Sequence, residues 1–259
     1  FAAGAGYVHA VAPRETIAEL REAEPDLLTL AQAFDATPSD DLRELAARAD
    51  CIVAGPGYGR GDGRADFLLE LLRGTRAHVL DADALTAFQG APGTLAELAT
   101  RAPTILTPHP GEFRALLPML AAEREVDPWH AAAAGSAELR ATLLLKGVPS
   151  VIASGGRAIW TVAAGNPGLG SGGSGDVLSG IAGTLLAQRV EPDIAAALAA
   201  LALGMAGDIA ARRVTAHAMR PMDVIQALPD VWREWGLAPI LRNRGGAPVI
   251  AELPAPAAI

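Results

Sequence analysis

The sequence predicts an α/β fold with a mostly parallel central sheet, and three observations support this prediction. Short apolar runs alternate with helical patterns along the chain, as they do where helices connect parallel strands. Apolar residues make up 51% of the 259 residues, which is enough to bury a sizeable core. Glycine-rich segments follow several of the apolar runs, at the sheet edge where such folds bind their ligands.

The predicted strands and helices follow one another in chain order. We expect strands at residues 7–11, 27–31, 51–54, 78–80, 104–106, 141–145, 150–153 and 158–162. We expect helices at residues 14–24, 41–49, 66–72, 127–140, 192–213 and 221–228, with two more beginning near Ala84 and at Pro110. The last three strands follow one another so closely that we expect them to pair antiparallel at one side of the sheet.

The length of 259 residues is typical of one large domain or two small ones, and no clear linker divides the chain. We assign residues 1–237 to one domain. Residues 238–259 carry no periodic pattern and are predicted to be a disordered tail. The opening residues FAAGAGYVHAV are typical of a helix end that leads into a strand, so we expect a fragment whose beginning is missing.

Charge and composition argue against several classes of protein. The net charge is −8 and no block of Lys and Arg is present, which argues against a nucleic-acid surface. The single cysteine, Cys51, opens an apolar run, so we expect a buried, inert thiol in a reducing, cytosolic setting. The most apolar stretch, 194–211, is interrupted by two glycines and Asp208, and it falls short of the roughly 20 clean residues of a membrane span. We therefore predict a buried helix there.

The segment 166–186 is predicted to bind an anion. It contains five glycines before Asp176, namely Gly168, Gly170, Gly172, Gly173 and Gly175. Glycines let backbone N–H groups approach a ligand closely, and the apolar helix that follows adds its free N–H groups and the positive end of its dipole. A nucleotide phosphate is the expected anion. Ser171 and Ser174 are expected to add hydroxyl donors and to cap the helix.

Asp176 has two interpretations at this stage. A carboxylate next to a phosphate site is repelled by the phosphate, so a functional reason is needed for its presence. It could be a general base, placed where a substrate hydroxyl meets the phosphate being transferred. It could instead be an acidic residue that the helix dipole favours in a first turn.

Polar residues also follow the other predicted strands. The glycines of GPGYG, Gly55, Gly57 and Gly59, could line a ligand site or form an ordinary tight turn. Asp83 is expected to cap the helix that begins near Ala84, whereas Asp81 could cap it too or approach a metal through water.

Three further side chains at strand ends have open interpretations. His109 is held between two prolines, and either a ligand contact or a loop hydrogen bond would explain it. Glu112 could help hold a hydrated Mg²⁺ or only complement a helix dipole. Lys146 follows four apolar residues, so a phosphate oxygen or solvent must satisfy its charge.

Six motifs occur in a fixed order, namely GPGYG at 55–59, DADAL at 81–85, LTPHPGE at 106–112, LLKG at 144–147, NPGLGSGGSGDVLSG at 166–180 and RPMDVIQALP at 220–229. Together they resemble the ADP/ATP-dependent (S)-NAD(P)H-hydrate dehydratases, the dehydratase domain of the NAD(P)H-hydrate repair system. The resemblance runs from the first residues to about Leu237. The joint order and spacing of the motifs are specific, whereas no single motif would be.

The resemblance implies a ribokinase-like fold, a three-layer α/β/α sandwich. It implies a lyase that uses ADP, usual in bacteria, or ATP, usual in eukaryotes, to dehydrate the S form of hydrated NADH or NADPH. The hydroxyl of the hydrate would be phosphorylated and phosphate then eliminated, which restores the nicotinamide double bond. Mg²⁺ would accompany the nucleotide, and no residue is assigned as a direct metal ligand.

The resemblance also implies roles for particular residues. Asp176 matches the residue that contacts the hydroxyl and acts as the base, and Gly59 and His109 match substrate contacts. The nucleotide-binding residues implied by the resemblance are Lys146, Gly147, Val148, Pro149, Ser150, Gly172, Gly173 and Gly175. It further implies a cytoplasmic homo-oligomer, often a tetramer, and an epimerase domain that precedes the dehydratase in many bacterial chains.

The sequence departs from the family pattern at several positions. The usual Thr-Gly-Gly-Thr-Gly-Asp stands here with serine for both threonines, so the hydroxyls at Ser171 and Ser174 are kept. Tyr58 stands where Leu or Met is frequent and is expected to narrow the pocket, and Leu203 stands where His is common. The first strand of the family and its loop, which contribute a substrate contact, would lie before Phe1.

Two alternative functions remain open from the sequence. A ribokinase-like kinase for a sugar, hydroxymethylpyrimidine or hydroxyethylthiazole alcohol would share the glycine segment and Asp176. The motifs LTPHPGE and NPGLG favour the dehydratase over this kinase. The second alternative is a nucleotide-binding module without catalysis.

Overall fold

The computed structural model of the chain describes residues 1–35, 37–241 and 250–253. The strands are β1 (His9–Ala12), β2 (Leu28–Ala31), β3 (Ile52–Ala54), β4 (His78–Leu80), β5 (Thr104–Leu106), β6 (Thr142–Leu145), β7 (Ser150–Ala153), β8 (Ile159–Val162) and β9 (Ile250–Leu253). The helices are α1 (Ile17–Ala23), α2 (Asp40–Arg48), α3 (Arg64–Leu71), α4 (Ala82–Ala87), α5 (Pro92–Ala99), α6 (Pro110–Leu116), α7 (Ala121–Val126), α8 (Pro128–Leu139), α9 (Ser174–Ala187), α10 (Pro192–Val214) and α11 (Pro221–Leu241). Short 3-10 turns lie at Arg14–Thr16, Pro118–Leu120 and Pro167–Gly170.

The central sheet has seven strands in the order β3-β4-β5-β6-β7-β8-β9. The strands β3 to β6 are parallel, whereas β7, β8 and β9 each pair antiparallel with the strand before them. The predicted antiparallel pairing at one side of the sheet is therefore confirmed. The strands β1 and β2 pair with each other in parallel and form a separate two-stranded sheet.

Helices cover both faces of the central sheet, and this gives three layers. Successive side chains of a strand point to opposite faces. Leu80 of β4 accordingly lies in one core cluster, with residues of α2, α3, α4, α5, α6 and α8, and its neighbour Val79 lies in the other, with residues of α9, α10 and α11. All residues of β4 and β5 are buried, as expected for parallel strands with helices on both faces. The predicted α/β/α sandwich with a mostly parallel sheet is confirmed.

The apolar stretch at 194–211 forms most of α10, a helix of 23 residues. It is long and apolar enough to cross a membrane, by length and composition. In the fold it packs between α9 and α11 and against the strands β5 to β8, and 61% of its most apolar window is buried. The prediction of a buried helix is confirmed.

The last helix is longer than predicted. Helix α11 does not stop at residue 228 but continues through Pro229 to Leu241, beyond the predicted domain end at 237. Proline usually ends a helix, but here the apolar face continues beyond it. The Trp232 indole donates a hydrogen bond to the carbonyl of Ala2 (2.7 Å), and Trp235 contacts Met205. Strand β9 also lies in the predicted tail, whose residues 242–249 and 254–259 lie outside the described residues.

Three regions differ from the predicted element boundaries near the start and middle of the chain. The opening residues form turns rather than a helix end, and β1 begins at His9, two residues later than predicted. The sequence patterns did not predict α5 or α7, which are helices of 8 and 6 residues. Such short helices carry too few periodic positions to stand out in a sequence.

Candidate active site

The candidate site lies where the parallel strands β3, β4, β5 and β6 end. The segments that follow these strands carry Gly59, Asp81, His109 and Lys146. Parallel strands end at one edge of a sheet, so residues far apart in the chain meet there. The turn after β3 fits closely against the turn after β4, because a Cβ on Gly55 would lie 1.7 Å from the carbonyl oxygen of Asp81.

Asp81 is the buried centre of this site and is 1% exposed. Its carboxylate accepts hydrogen bonds from the Lys146 ammonium (2.7 Å), the Ser179 hydroxyl (2.8 Å) and the amide of Ala82 (2.9 Å). Asp81 thus caps α4, as one of its two sequence-based interpretations expected. The Asp81 carboxylate neutralises Lys146, a partner that the sequence did not predict, and the Lys146 side chain is still 21% exposed. A contact between Lys146 and a phosphate oxygen stays a prediction.

Asp83 does not cap α4, contrary to the prediction. Its carboxylate accepts a hydrogen bond from the amide of Gly59 (3.1 Å) and pairs with the Arg60 guanidinium (3.1 Å). The helix begins at Ala82, two residues earlier than expected, so Asp81 occupies the cap position. Asp83 instead ties the glycine turn after β3 to the start of α4.

His109 caps α6 in a reciprocal arrangement with Glu112. The Nδ1 atom of His109 accepts hydrogen bonds from the amides of Gly111 (2.9 Å) and Glu112 (3.4 Å), and the Glu112 carboxylate accepts one from the His109 amide (2.8 Å). The loop hydrogen bond that was one interpretation of His109 is therefore present. The other imidazole nitrogen lies 3.4 Å from the Glu112 carboxylate, and the side chain is 55% exposed. The ring is thus fixed in orientation and reaches solvent.

The glycine segment leads into α9 through Gly173. This residue adopts φ +94°, and a Cβ on it would lie 2.9 Å from Pro221, so a glycine is required there. Among the residues that the structure describes, no side chain caps the helix. The hydroxyls of Ser171 and Ser174 lie 3.3 Å from each other, and the expectation that they cap the helix was wrong, because the glycine itself holds the cap position. The first amides of a helix without a side-chain cap remain available to a ligand.

Asp176 lies in the first turn of α9 and reaches solvent. Within the described chain, its carboxylate forms neither an ion pair nor a hydrogen bond. Partial burial and the nearby Asp81 carboxylate raise the pKa of Asp176, and the Lys146 ammonium works in the opposite direction. A carboxylate with a raised pKa and no partner is suited to accept a proton.

The residues predicted to bind the nucleotide lie in two segments, the glycine segment at the start of α9 and the connection from β6 to β7. A Cβ on Gly175 would lie 3.4 Å from the Lys146 ammonium and 3.6 Å from the Asp81 carboxylate, so the start of α9 and the end of β6 are in contact. The residues 147–149 form the connection from β6 to β7, in which Val148 is fully exposed. Gly172, in contrast, has no described atom within 4 Å of where its Cβ would be.

Sequence reasoning missed two residues of the site. Ser179 donates to Asp81 and is fully buried, and its position three residues after Asp176 on one helix could have signalled a shared face. Arg64 begins α3, and its Nη2 atom lies 3.5 Å from where a Cβ on Gly59 would be. No sequence pattern marks Arg64, because its approach to Gly59 depends on how the glycine turn folds.

The carboxylates of the site suit a divalent cation only in part. Among the described residues, no group of three His, Cys, Asp or Glu side chains could hold a metal ion. Mg²⁺ is usually held by one or two carboxylates together with substrate phosphates and water. The site therefore fits a cation that arrives with a nucleotide. The Asp81 carboxylate is already bound to Lys146 at hydrogen-bond distance, whereas the Glu112 carboxylate lies 3.8 Å from Lys146. Glu112 and Asp176 are the carboxylates that remain for the cation.

Comparison with known proteins gives consistent relatives. The family described as NAD(P)H-hydrate dehydratase matches residues 1–230. The bifunctional NAD(P)H-hydrate repair enzyme Nnr of Moorella thermoacetica is 39% identical over 238 residues, which are 89% of this chain and 44% of the relative. The enzyme of the same name from Escherichia coli is 35% identical over 88% of this chain and 42% of its own length. The chain thus spans less than half the length of these curated relatives.

Solved structures show the same fold. The ADP/ATP-dependent NAD(P)H-hydrate dehydratase of Bacillus subtilis, co-crystallized with ATP/Mg²⁺, superposes with a TM-score of 0.74 at 25% identity, covering 90% of this chain and 81% of that one. A hydroxyethylthiazole kinase from Pyrococcus horikoshii superposes with a TM-score of 0.65 at 20% identity, covering 95% and 93%. The second likeness shows a shared fold alone.

Proposed function

Because the chain belongs to the NAD(P)H-hydrate dehydratase family, we propose that it dehydrates (S)-NADH-hydrate and (S)-NADPH-hydrate with ADP or ATP as co-substrate. The observation that carries this proposal is the Asp176 carboxylate at the glycine-lined start of α9, which has no partner among the described residues and lies next to the Lys146–Asp81 pair. A ribokinase-like kinase would share Asp176 and the glycine segment, so it is the relatives that favour the dehydratase over the kinase alternative.

The reaction needs a phosphate because hydroxide is a poor leaving group. The terminal phosphoryl group of the nucleotide is transferred to the hydroxyl oxygen of the hydrate, and the hydroxyl proton passes to a base. The C–O bond then breaks, phosphate departs, and loss of a ring proton restores the double bond. With ADP the products are AMP, inorganic phosphate and NADH or NADPH. Positioning and charge stabilisation supply most of the catalysis in such a transfer.

We assign the base role to Asp176. A raised pKa makes a carboxylate a better proton acceptor, and the absence of an ion pair within the described chain leaves it available. The Lys146 ammonium lowers the pKa of Asp176 and so opposes the effects of burial and of Asp81. Gly59 and His109 are assigned as substrate contacts. They lie at the ends of β3 and β5, while Lys146 lies at the end of β6.

The nucleotide is proposed to bind along 146–150, Gly172, Gly173 and Gly175. The amides at the start of α9 face the anion, and the β6–β7 connection adds further backbone groups. Mg²⁺, when bound with the nucleotide, would neutralise the charge of its phosphates. Glu112 and Asp176 are the side chains proposed to approach it. The relative from Bacillus subtilis was co-crystallized with ATP/Mg²⁺, which supports this part of the proposal.

The proposal extends to the partners and the location of the protein. The relatives are named as bifunctional repair enzymes and are more than twice as long as this chain, which supports a fused epimerase domain. We propose a homo-oligomer, a tetramer, in the cytoplasm. Burial raises the pKa of the Cys51 thiol to about 12, so this cysteine is inert, in agreement with a structural role.

The test is the recovery of the dihydronicotinamide absorbance band from hydrated NADH or NADPH. The protein is incubated with the hydrate, Mg²⁺ and either ADP or ATP in parallel, with a nucleotide-free control. We expect the band to return only with nucleotide, together with one inorganic phosphate per turnover. A protein that phosphorylates hydroxyethylthiazole or hydroxymethylpyrimidine and leaves the hydrate unchanged would contradict the proposal in favour of a kinase.

A further inference from the structure

A second feature of the site is a cavity of about 570 Å³ beside Gly59. It lies between the segments that follow β1, β2 and β3, and its lining includes Arg14, Phe34, Tyr58 and Arg64. The cavity is therefore on the β3 side of the site, whereas the proposed nucleotide segment follows β6. Three strand spacings separate β3 from β6, which corresponds to about 14 Å.

The Arg64 guanidinium is the unusual group in this cavity. Its central carbon lies 5.0 Å from the ring centre of Tyr58 and 5.6 Å from that of Phe34, so the cation rests on two aromatic rings. The Tyr58 hydroxyl donates to the Arg64 carbonyl (2.9 Å), which fixes the backbone. Nevertheless the Nη1 atom is buried and has no hydrogen-bond partner within the described part of the chain. An unsatisfied buried donor on a charged group is costly, and an anionic ligand would satisfy it.

The other charges around the cavity do not supply this anion. The Asp83 carboxylate is already paired with Arg60 of the glycine turn. The two acidic side chains that line the cavity, Glu15 and Asp35, are exposed and form no ion pair with Arg64 within the described residues. A dinucleotide substrate, in contrast, carries phosphate groups at a distance from its nicotinamide ring.

We propose that Arg64 binds a phosphate of the hydrated dinucleotide, with Gly59 between this contact and the reacting hydroxyl. The proposal rests on the proposed function and extends its substrate site to residues that the motifs do not cover. The phosphate is either the diphosphate bridge, which NADH and NADPH hydrates share, or the 2′-phosphate of the NADPH hydrate. Arginine suits both, because its planar N–H groups match phosphate oxygens.

The test compares Arg64→Met and Arg64→Lys with the wild type. Methionine keeps the packing on the two rings but removes the charge, so we expect the KM for hydrate to rise about 10-fold or more. The KM for ADP or ATP should stay unchanged, because that site lies across the sheet edge. Lysine keeps the positive charge but loses the planar pair of N–H donors, so we expect a smaller, several-fold rise. Arg73→Met, an exposed arginine just after α3, serves as the matched control and should change neither KM.

Each outcome either identifies the phosphate or overturns the proposal. A rise with the NADPH hydrate alone identifies the 2′-phosphate, and an equal rise with both hydrates identifies the diphosphate. Unchanged KM values in the folded Arg64→Met variant overturn the proposal. If that variant does not fold, unchanged KM values in Arg64→Lys overturn it. A wild-type protein without turnover would instead overturn the proposed function, so the two failures are distinguishable.

Discussion

At the scale of single residues, the site is a set of charges with unequal surroundings. Asp81 is buried and holds three donors, whereas Asp176 is near it and holds none among the described residues. The Asp81 carboxylate repels the Asp176 carboxylate and, together with partial burial, raises the pKa of Asp176. A structural carboxylate and a reactive one are thereby separated by their environment rather than by their type.

Replacing Asp176 by Asn should lower kcat by two to four orders of magnitude, about the contribution of a general base. It should not lower the melting temperature at neutral pH. The raised pKa means that the fold disfavours the ionised carboxylate above the ordinary pKa of an aspartate, so a neutral amide removes an unfavourable charge. Steady-state turnover, thermal unfolding and nucleotide binding measured on one preparation provide the check. Wild-type kcat in the variant would exclude Asp176 as the base.

Replacing Asp81 by Asn should destabilise the fold by about 3 kcal/mol, because it leaves the Lys146 ammonium partly buried without its counter-charge. The matched control is Asp50→Asn, which breaks the exposed pair with Arg76 (2.7 Å) and should cost less than about 1 kcal/mol. Urea unfolding of both variants measures the difference. Equal costs would mean that the Asp81 contacts add little to stability.

At the scale of elements, α9 and α10 depend on close packing. A Cβ on Gly204 of α10 would lie 2.5 to 2.7 Å from atoms of Ala164, two of which are backbone atoms. The segment it touches leads directly to the glycine segment, whose Asn166 is held by Asp208 of the same helix (3.0 Å). The position of the phosphate-binding segment is therefore set by α10, the helix that packs beside α9.

Gly204→Ala should destabilise the protein by about 1 to 3 kcal/mol, the usual cost of overpacking, since backbone atoms cannot turn away. Gly180→Ala in α9 is the control, because no described atom lies within 4 Å of its Cβ position. There alanine should stabilise by about 0.5 to 1 kcal/mol through the lower entropy of the unfolded chain. Chemical denaturation of the two variants measures the change in the free energy of unfolding, which should be negative for Gly204→Ala and positive for Gly180→Ala. A stabilising Gly204→Ala would show that α10 can move away from Ala164.

At the scale of the whole molecule, the cavity, the Asp81 cluster and the proposed nucleotide segment lie at different positions along one edge of the sheet. The glycine turn and its cavity follow β3, the Asp81 cluster follows β4, and the proposed nucleotide segment follows β6. The opposite ends of the same strands carry buried polar contacts that serve the fold. His78, at the start of β4, lies fully buried between the hydroxyls of Thr75 and Thr104.

The stability of the protein should fall as the pH is lowered from about 6.5 towards 4. Burial lowers the pKa of His78 to about 4, so the unfolded chain binds a proton in this range while the folded chain does not. This residue should remove about 2 kcal/mol between pH 7 and pH 5. Urea unfolding at both pH values is compared for the wild type, His78→Asn and the exposed control His217→Asn. The loss of about 2 kcal/mol between pH 7 and pH 5 should disappear in His78→Asn alone. Its persistence in that variant would contradict the assignment of this pH dependence to His78.

Much of the fold follows from local patterns. The strands at 78–80, 104–106 and 150–153 and the start of α6 at Pro110 agree with their predicted limits, because short apolar runs and prolines act on neighbouring residues. The end of α11 does not follow, because the continuation through Pro229 depends on Trp232 and Trp235 finding partners elsewhere in the chain.

By itself the sequence determined the α/β class, the antiparallel side of the sheet and the motif set that marks the family, since each depends on residue type and spacing along the chain. Only the tertiary structure decided that Asp81 neutralises Lys146, 65 residues away, and accepts from Ser179, 98 residues away. It also decided that Asp83 holds Gly59 and that the Nη1 atom of the cavity-lining Arg64 has no partner among the described residues. These are contacts between distant segments, and their free energies depend on burial that exists only once the strands have brought the segments together.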